Sequence, residues 1–202
     1  MSNKAPIIIA SGNNKKLTEF GQILASQAIE LLPQSNFKIP EAIEDGLTFV
    51  ENALIKARHA SQLTQMPAIA DDSGIEVDYL KGNPGIYSAR FAADDATDQQ
   101  NLEKLLNDLE PVSREKRTAR YQCVIVYLRH WQDPTPIICQ ASWQGLILTK
   151  PVGDGGFGYD PIFYCPQAKK SAAQMSAQEK HALSHRGKAL RLFAKAFNEQ
   201  SR

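Results

Sequence analysis

At 202 residues, 43% hydrophobic and 22% charged, the chain has the balance of an ordinary globular protein, which excludes a disordered, collagen-like or fibrous class. The length suits one domain, or one domain with two lobes, and a fold of this size removes about 70% of the unfolded chain's surface from water without covalent staples. With 23 Lys and Arg against 22 Asp and Glu, the net charge of +1 gives no global field for a polyanion, so any phosphate chemistry must be local.

In chain order, Pro6-Ile7-Ile8-Ile9-Ala10 is short, β-branched and wholly apolar, which predicts a central strand. It empties into the polar loop Ser11-Gly12-Asn13-Asn14-Lys15-Lys16, after which Leu17, Phe20, Ile23 and Leu24 recur at helical spacing. Three further helix starts carry a capping-box pattern: Thr48 with Glu51, Thr97 with Gln100, and Ser176 with Glu179. Between them, Ala68-Ile69-Ala70 ends in Asp71-Asp72-Ser73-Gly74, and Ile75, Val77 and Tyr79 then alternate with Glu76 and Asp78 as in a half-buried strand. The runs from Tyr121 to Leu128 and from Ile137 to Leu148, separated by a turn around Asp133-Pro134, predict an antiparallel pair. The last helix places Leu190, Phe193, Ala194 and Phe197 on one face. The class is therefore α/β with a mixed sheet. With no repeat, low-complexity tract or linker, residues 1–202 read as a single domain.

Four segments hold more polar chemistry than a fold requires. The Ser11 to Lys16 loop, at a strand end just before a helix, offers backbone donors, a positive dipole end and the Lys16 ammonium to an anion; the plainer reading is a strand-to-helix turn capped by Asn13 or Asn14. It is not a Walker loop, because Gly12 has no GK[ST] partner. Asp71 and Asp72, adjacent at a strand's mouth, repel each other unless a hard cation such as Mg²⁺ neutralises them, although Asp, Ser and Gly also form solvated turns. Glu44-Asp45-Gly46 is a weaker acidic candidate, a further oxygen ligand or the turn before the Thr48 cap.

Gly153, Gly155 and Gly158 satisfy GxGxxG as letters, but the fingerprint must open a helix, and Pro161 with Ile162-Phe163-Tyr164 predicts a strand instead. What remains is a loop that a ligand can approach closely, with Phe157 or Tyr159 to stack on a flat ring and Asp160 to accept hydrogen bonds; the alternative is a long surface hairpin. Lys169, Lys170, Lys180, His181, His185, Arg186 and Lys188 face only Glu179 among acids, and Ser184-His185-Arg186-Gly187 sets an imidazole beside a guanidinium at a helix start, suited to an oxyanion or a ring carbonyl. Asp94, Asp95, Asp98, Glu103, Asp108 and Glu110 read as exposed helix and flank.

No stretch reaches the about 20 apolar residues of a spanning helix, and the N-terminus lacks the signal-peptide pattern, which predicts a cytoplasmic protein. Cys123, Cys139 and Cys165 form no CxxC pair and predict neither a disulfide framework nor a zinc site.

A phosphate-suited loop, an acid pair, a ring-stacking loop and a basic cluster together describe a nucleoside triphosphate pocket. In order along the chain, Ser11-Gly12-Asn13 to Lys16, Glu44-Asp45-Gly46-Leu47-Thr48-Phe49 with Glu51-Asn52-Ala53, Lys56-Ala57-Arg58, Asp71-Asp72-Ser73-Gly74, Pro84-Gly85-Ile86-Tyr87-Ser88-Ala89-Arg90, Phe157-Gly158-Tyr159-Asp160-Pro161 and Ser184-His185-Arg186-Gly187 resemble the inosine/xanthosine triphosphate pyrophosphatase family, in the spelling of its bacterial branch. The resemblance spans nearly the whole chain.

It implies an elongated mixed sheet flanked by helices, two lobes around a nucleotide-binding cleft, and as a rule a homodimer. It also implies Mg²⁺-dependent hydrolysis of ITP, dITP and XTP to the monophosphate and pyrophosphate, which clears deaminated purines from the nucleotide pool. Carried onto this sequence, Ser11, Gly12, Asn13 and Lys16 hold the phosphates, Lys56 and Ser73 flank them, and Asp72 is the catalytic carboxylate. Glu44, Asp71 and Asp72 supply the metal region. Phe157, Gly158, Tyr159, Asp160, Lys180, His185 and Arg186 frame the base. Deaminated purines carry a 6-keto acceptor where adenine has an amino donor, so a pocket of donors favours them, by about 10⁴-fold where the wrong ligand leaves buried groups unpaired. The partners expected are thus a small-molecule nucleoside triphosphate and a second copy of the chain, with no nucleic acid and no membrane. Two rivals stand beside this reading: a pyrophosphatase for modified pyrimidines or standard nucleotides, and a nucleotide binder without turnover.

Overall fold

The computed structural model describes residues 6–25 and 29–200. Its strands are β1 (Ile7–Ile9), β2 (Leu31–Pro33), β3 (Ala68–Val77), β4 (Thr118–Leu128), β5 (Ile137–Ile147), β6 (Phe163–Cys165) and β7 (Lys170–Ser171), and its α-helices are α1 (Asn14–Leu24), α2 (Phe49–Thr64), α3 (Asp98–Asp108), α4 (Ala177–Leu183) and α5 (His185–Gln200). The strands lie in the order β2-β1-β3-β4-β5-β6-β7. β1 pairs parallel with β2 and β3, whereas β6 pairs antiparallel with β5 and β7, so the sheet is mixed, as the sequence predicts. β4 and β5 are neighbours joined by the connection 129–136, which is too short for a parallel crossover.

All three capping positions hold. Thr97 with Gln100 and Ser176 with Glu179 form reciprocal boxes at α3 and α4. Thr48 accepts from the Glu51 N–H at α2, while the Glu51 carboxylate turns to the Leu47 N–H. One expectation fails: Asp71-Asp72-Ser73-Gly74 does not end a strand but runs through the middle of β3. The turn-forming tendency of these residues is overridden by pairing within the sheet, where both acidic side chains also find cationic partners, as described below.

The chain divides into two compact units, Met1–Asp72 with Cys123–Ala141 and Arg186–Arg202, and Ser73–Gln122 with Ser142–His185. In the first, strand alternation sorts the core. Ile7, Ile9 and Ile69, with Cys123, Ile125 and Tyr127, pack on Phe20 and Leu24 of α1 and Phe193 and Phe197 of α5. Ile8, Ala68 and Ala70, with Val124 and Val126, pack on Ala53, Ala57 and Ala60 of α2. Being covered on both faces is why β1 is apolar at every position. In the second unit, Ile75 and Val77 of β3 pack with Leu102, Leu105 and Leu109 of α3, Tyr121, Trp143 and Phe163.

The turn between β4 and β5 is held by one carboxylate. Asp133, 1% exposed, accepts from the Arg129 N–H at 3.0 Å, from Arg129 Nε at 2.8 Å and from the Thr135 N–H at 3.0 Å. The hydrogen bond from Arg129 holds its carboxyl far below the usual carboxylate range. A depressed folded-state pKa stabilises above the unfolded value of about 4 and loses that contribution as the pH falls. Asp133→Asn should therefore cost about 2 kcal/mol at neutral pH. In urea unfolding, the gap from wild type should narrow between about pH 5 and about pH 2, and a gap constant across that window would contradict the assignment.

Candidate active site

The alternation that sorts the core of the first unit also separates the acid pair. Asp71 shares the parity of Ile69 and meets the side chains of α1 and α5: Lys16 Nζ lies 3.0 Å from Asp71 Oδ2, with Arg186 Nη2 at 3.3 Å and Nε at 3.4 Å. Asp72 shares the parity of Ala70 and meets α2, where Lys56 Nζ donates to Asp72 Oδ1 at 2.7 Å and to Glu44 Oε2 at 2.8 Å. The two carboxylates are 2% and 8% exposed and have different surroundings. Burial raises the Asp71 pKa, but Lys16, then Arg186, then Lys56 outweigh it, so the carboxyl titrates well below the usual range. Burial also raises the Asp72 pKa, and there the shared ammonium of Lys56, helped by Lys16 and opposed by Glu44, does not overcome it. Lys56 itself, despite burial, is held more firmly cationic by Asp72, Asp71 and Glu44.

The 11–16 loop differs from expectation in one respect. Asn13 is the N-cap of α1, its Oδ1 accepting from the Lys15 and Lys16 N–H groups, and Ser11 Oγ accepts from the Asn13 N–H. Two of the first-turn donors are therefore already occupied, and the Lys16 ammonium is itself paired with Asp71. A Cβ on Gly12 would lie 2.7 Å from Oε1 of the exposed Glu41 side chain, which would have to shift to admit it. Gly46 N–H donates to Oδ1 of the buried Asn52, one helical turn before Lys56, and this holds the Glu44-Asp45-Gly46 turn beside α2.

In the second unit a separate cluster forms on the glycine-rich loop. Asp160 accepts from the Phe157 N–H at 2.8 Å and from Lys180 Nζ at 2.6 Å, and Lys180 Nζ lies 4.7 Å over the Phe157 ring. Gly156, at φ +76°, cannot carry a Cβ, which would fall 2.1 Å from Asp160 Oδ2. His185 stacks on Tyr121 with ring centroids 4.6 Å apart. Ser73 is half-buried in β3.

Three site expectations change. The Tyr159 ring is not a stacking platform: it is 5% exposed in the core, and its hydroxyl donates to the Ser88 carbonyl at 2.8 Å. Burial, with Asp98 nearby, pushes its pKa well up. The Asp160 carboxylate is engaged by its own loop and Lys180 rather than turned outward. Arg186, 3% exposed, is bound to Asp71 and Glu19 among the acids of the first unit. Glu19 was not singled out by the sequence reading. Its signal is its place one turn beyond Lys16 on α1.

Magnesium requires only one or two protein carboxylates, with substrate oxygens and water completing its shell. Among the described residues no three His, Cys, Asp or Glu side chains converge as a metal cage. Asp72 Oδ2 is buried without a hydrogen-bond partner, and Glu44 sits across Lys56 from it, so this donor set fits such an ion.

Fold and site thus define a class: an α/β protein with a mixed sheet and buried, cation-paired carboxylates at successive positions of one central strand. Residues 7–196 match the model of the Ham1 family, and the chain belongs to that family. It is 56% identical to a dITP/XTP pyrophosphatase of Photobacterium profundum over 93% of this chain and 96% of the relative, and 51% identical to that of Escherichia coli K12 over 94% and 96%. Among solved structures it resembles a HAM1 protein from Coxiella burnetii, with TM-score 0.90 and 44% identity over 96% of this chain and 99% of that one. The Ham1 protein of Staphylococcus aureus aligns with TM-score 0.86 and 38% identity over 98% and 100%.

Proposed function

We infer that this chain is a nucleoside triphosphate pyrophosphatase that hydrolyses ITP, dITP and XTP to the monophosphate and pyrophosphate and keeps deaminated bases out of nucleic acids. The relatives named dITP/XTP pyrophosphatase support the activity, and the observation that carries it to residues is Asp72: buried, paired with Lys56 beside Glu44 on the α2 side, with Oδ2 left over, whereas Asp71, which also has one oxygen left over, is bound to Lys16 and Arg186 on the other face. In this reading Asp72 orients the attacking water and accepts its proton, with one oxygen fixed by Lys56 and the other left over. Lys56 keeps the Asp72 carboxylate in one rotamer and holds Glu44 beside it. Asp72 and Glu44 are the residues that would hold Mg²⁺, which would supply charge neutralisation for the departing pyrophosphate. Asp71 serves as the anchor for Lys16 and Arg186 rather than as a direct ligand, since it faces the other side of β3. Phe157 and Lys180 receive the base, the ring by stacking and the ammonium by donating to the keto oxygen. The protein works in the cytosol as a homodimer, without nucleic acid.

Pyrophosphate release from ITP, XTP, GTP and ATP, with and without Mg²⁺, tests the reading. ITP and XTP should dominate, and only with the metal. Release from dTTP or UTP but not from ITP would instead select the pyrimidine rival.

Lys16→Ala should lower kcat/KM by about tenfold to a hundredfold, the scale of one charge-assisted hydrogen bond. A phosphate contact carries no base information, so the loss should be the same for ITP and GTP. A changed ratio between these substrates would remove Lys16 from that role.

A further inference from the structure

Both peptide planes that flank Phe157 are held by carboxylates, and one of these comes from far away in sequence. The Phe157 N–H donates to Asp160 Oδ2 at 2.8 Å, and the Gly158 N–H, which shares a peptide plane with the Phe157 carbonyl, donates to Asp98 Oδ2 at 2.9 Å. Asp98 is the first residue of α3, fixed by the reciprocal box of Thr97 and Gln100. Gly158 sits in left-handed backbone at φ +59°, and the Phe157 carbonyl of the same plane accepts from the Asp160 N–H at 3.2 Å, so Asp98 supplies the hold from outside the loop. The next residue, Tyr159, is tied through its hydroxyl to the Ser88 carbonyl, and Ser88 Oγ in turn accepts from the Ile75 N–H of β3 at 2.9 Å. The backbone before and after the Phe157 ring is thereby clamped, and a long-range clamp directly on its peptide is an acid that looks, in sequence, like a solvated helix end.

We propose that Asp98 is a specificity-determining positioning residue: its carboxylate fixes the Phe157–Gly158 peptide and so aims the Phe157 ring, with Lys180 above it, at the purine. This rests on the reading above that Phe157 and Lys180 receive the base. Because the clamp acts on the base-binding loop and not on the reacting phosphates, its loss appears in KM and in selectivity rather than in kcat. Asp98→Ala should raise KM for ITP about tenfold, leave kcat within about twofold, and narrow the ITP-to-ATP ratio of kcat/KM. Asp98→Asn keeps an acceptor oxygen while losing the charge, so it should restore KM and the ratio. If Asp98 serves only as a negative charge at the α3 N-terminus, Asn and Ala lose equally and the loss appears in Tm, which overturns the proposal.

Phe157→Ala, measured alongside, separates the two layers. If it raises KM for ITP and Asp98→Ala does not, the clamp is refuted while the base-loop reading stands. If Phe157→Ala leaves KM unchanged, the base-loop reading falls and the clamp falls with it. Amide hydrogen exchange on the wild-type protein gives a readout that needs no variant to fold: the Gly158 N–H should be protected, and a freely exchanging Gly158 amide refutes the clamp directly.

Discussion

Asp72→Asn is expected to lower kcat for ITP by about 10²–10⁴ while the protein remains folded, because the amide keeps the volume of the side chain and loses both the charge and the basicity. Asp72 is the buried carboxylate on the α2 side of β3, with Oδ2 left over, and burial holds it above its ordinary pKa. The variant leaves Lys56 one carboxylate, Glu44 at 2.8 Å, so the ammonium is not stranded. Steady-state kinetics at saturating Mg²⁺, with circular dichroism as the control for folding, checks the result. A kcat near that of wild type would remove Asp72 from the chemistry. Asp71→Asn should lose less in kcat and more in stability, since Asp71 faces Lys16 and Arg186 instead. Equal losses in kcat would contradict the division of labour between the two faces of the strand.

Arg186→Ala is expected to cost about 3–5 kcal/mol of stability, the scale on which breaking a buried ion pair leaves an uncompensated charge. That is a large part of a total of about 5–15 kcal/mol, so the variant should show a lowered urea midpoint and poor expression. The guanidinium binds Asp71 through Nε and Nη2 and Glu19 through Nη1, a fork that Lys cannot reproduce, so Arg186→Lys should recover only part of the loss. The ITP-to-ATP ratio of kcat/KM should stay constant for as long as the guanidinium remains on these two acids. A narrowed ratio would mean that nucleotide draws Arg186 away to the 6-keto oxygen, in line with the sequence-based expectation. A midpoint equal to that of wild type would show that the cluster contributes no net stability.

Local rules sufficed wherever a short stretch of chain decides the outcome. The apolar run of β1, the caps at Thr48, Thr97 and Ser176, the face of α5 and the failure of Gly153, Gly155 and Gly158 to open a helix all follow from neighbours within a turn or two. The order of seven separated segments pointed to the family and its activity. Asp71-Asp72-Ser73-Gly74, however, reads locally as a turn, and only pairing with the rest of the sheet draws it into β3. Once it lies inside a strand, alternation sends consecutive acids to opposite faces, so Asp71 meets α1 and α5 and Asp72 meets α2. No spacing in the sequence encodes which helix covers which face.

Tyr159 and Asp98 make the same point from opposite directions. An aromatic in a glycine-rich loop looks like a ligand platform, yet its hydroxyl is bound to a carbonyl 71 residues away. An acid at a helix start looks solvated, yet it holds an amide 60 residues away. Periodicity and capping are properties of backbone neighbours and survive translation from sequence. Hydrogen bonds between distant segments exist only after the chain has closed those loops, so tertiary structure alone decided which polar side chains bind, which pair and which merely hold the others in place.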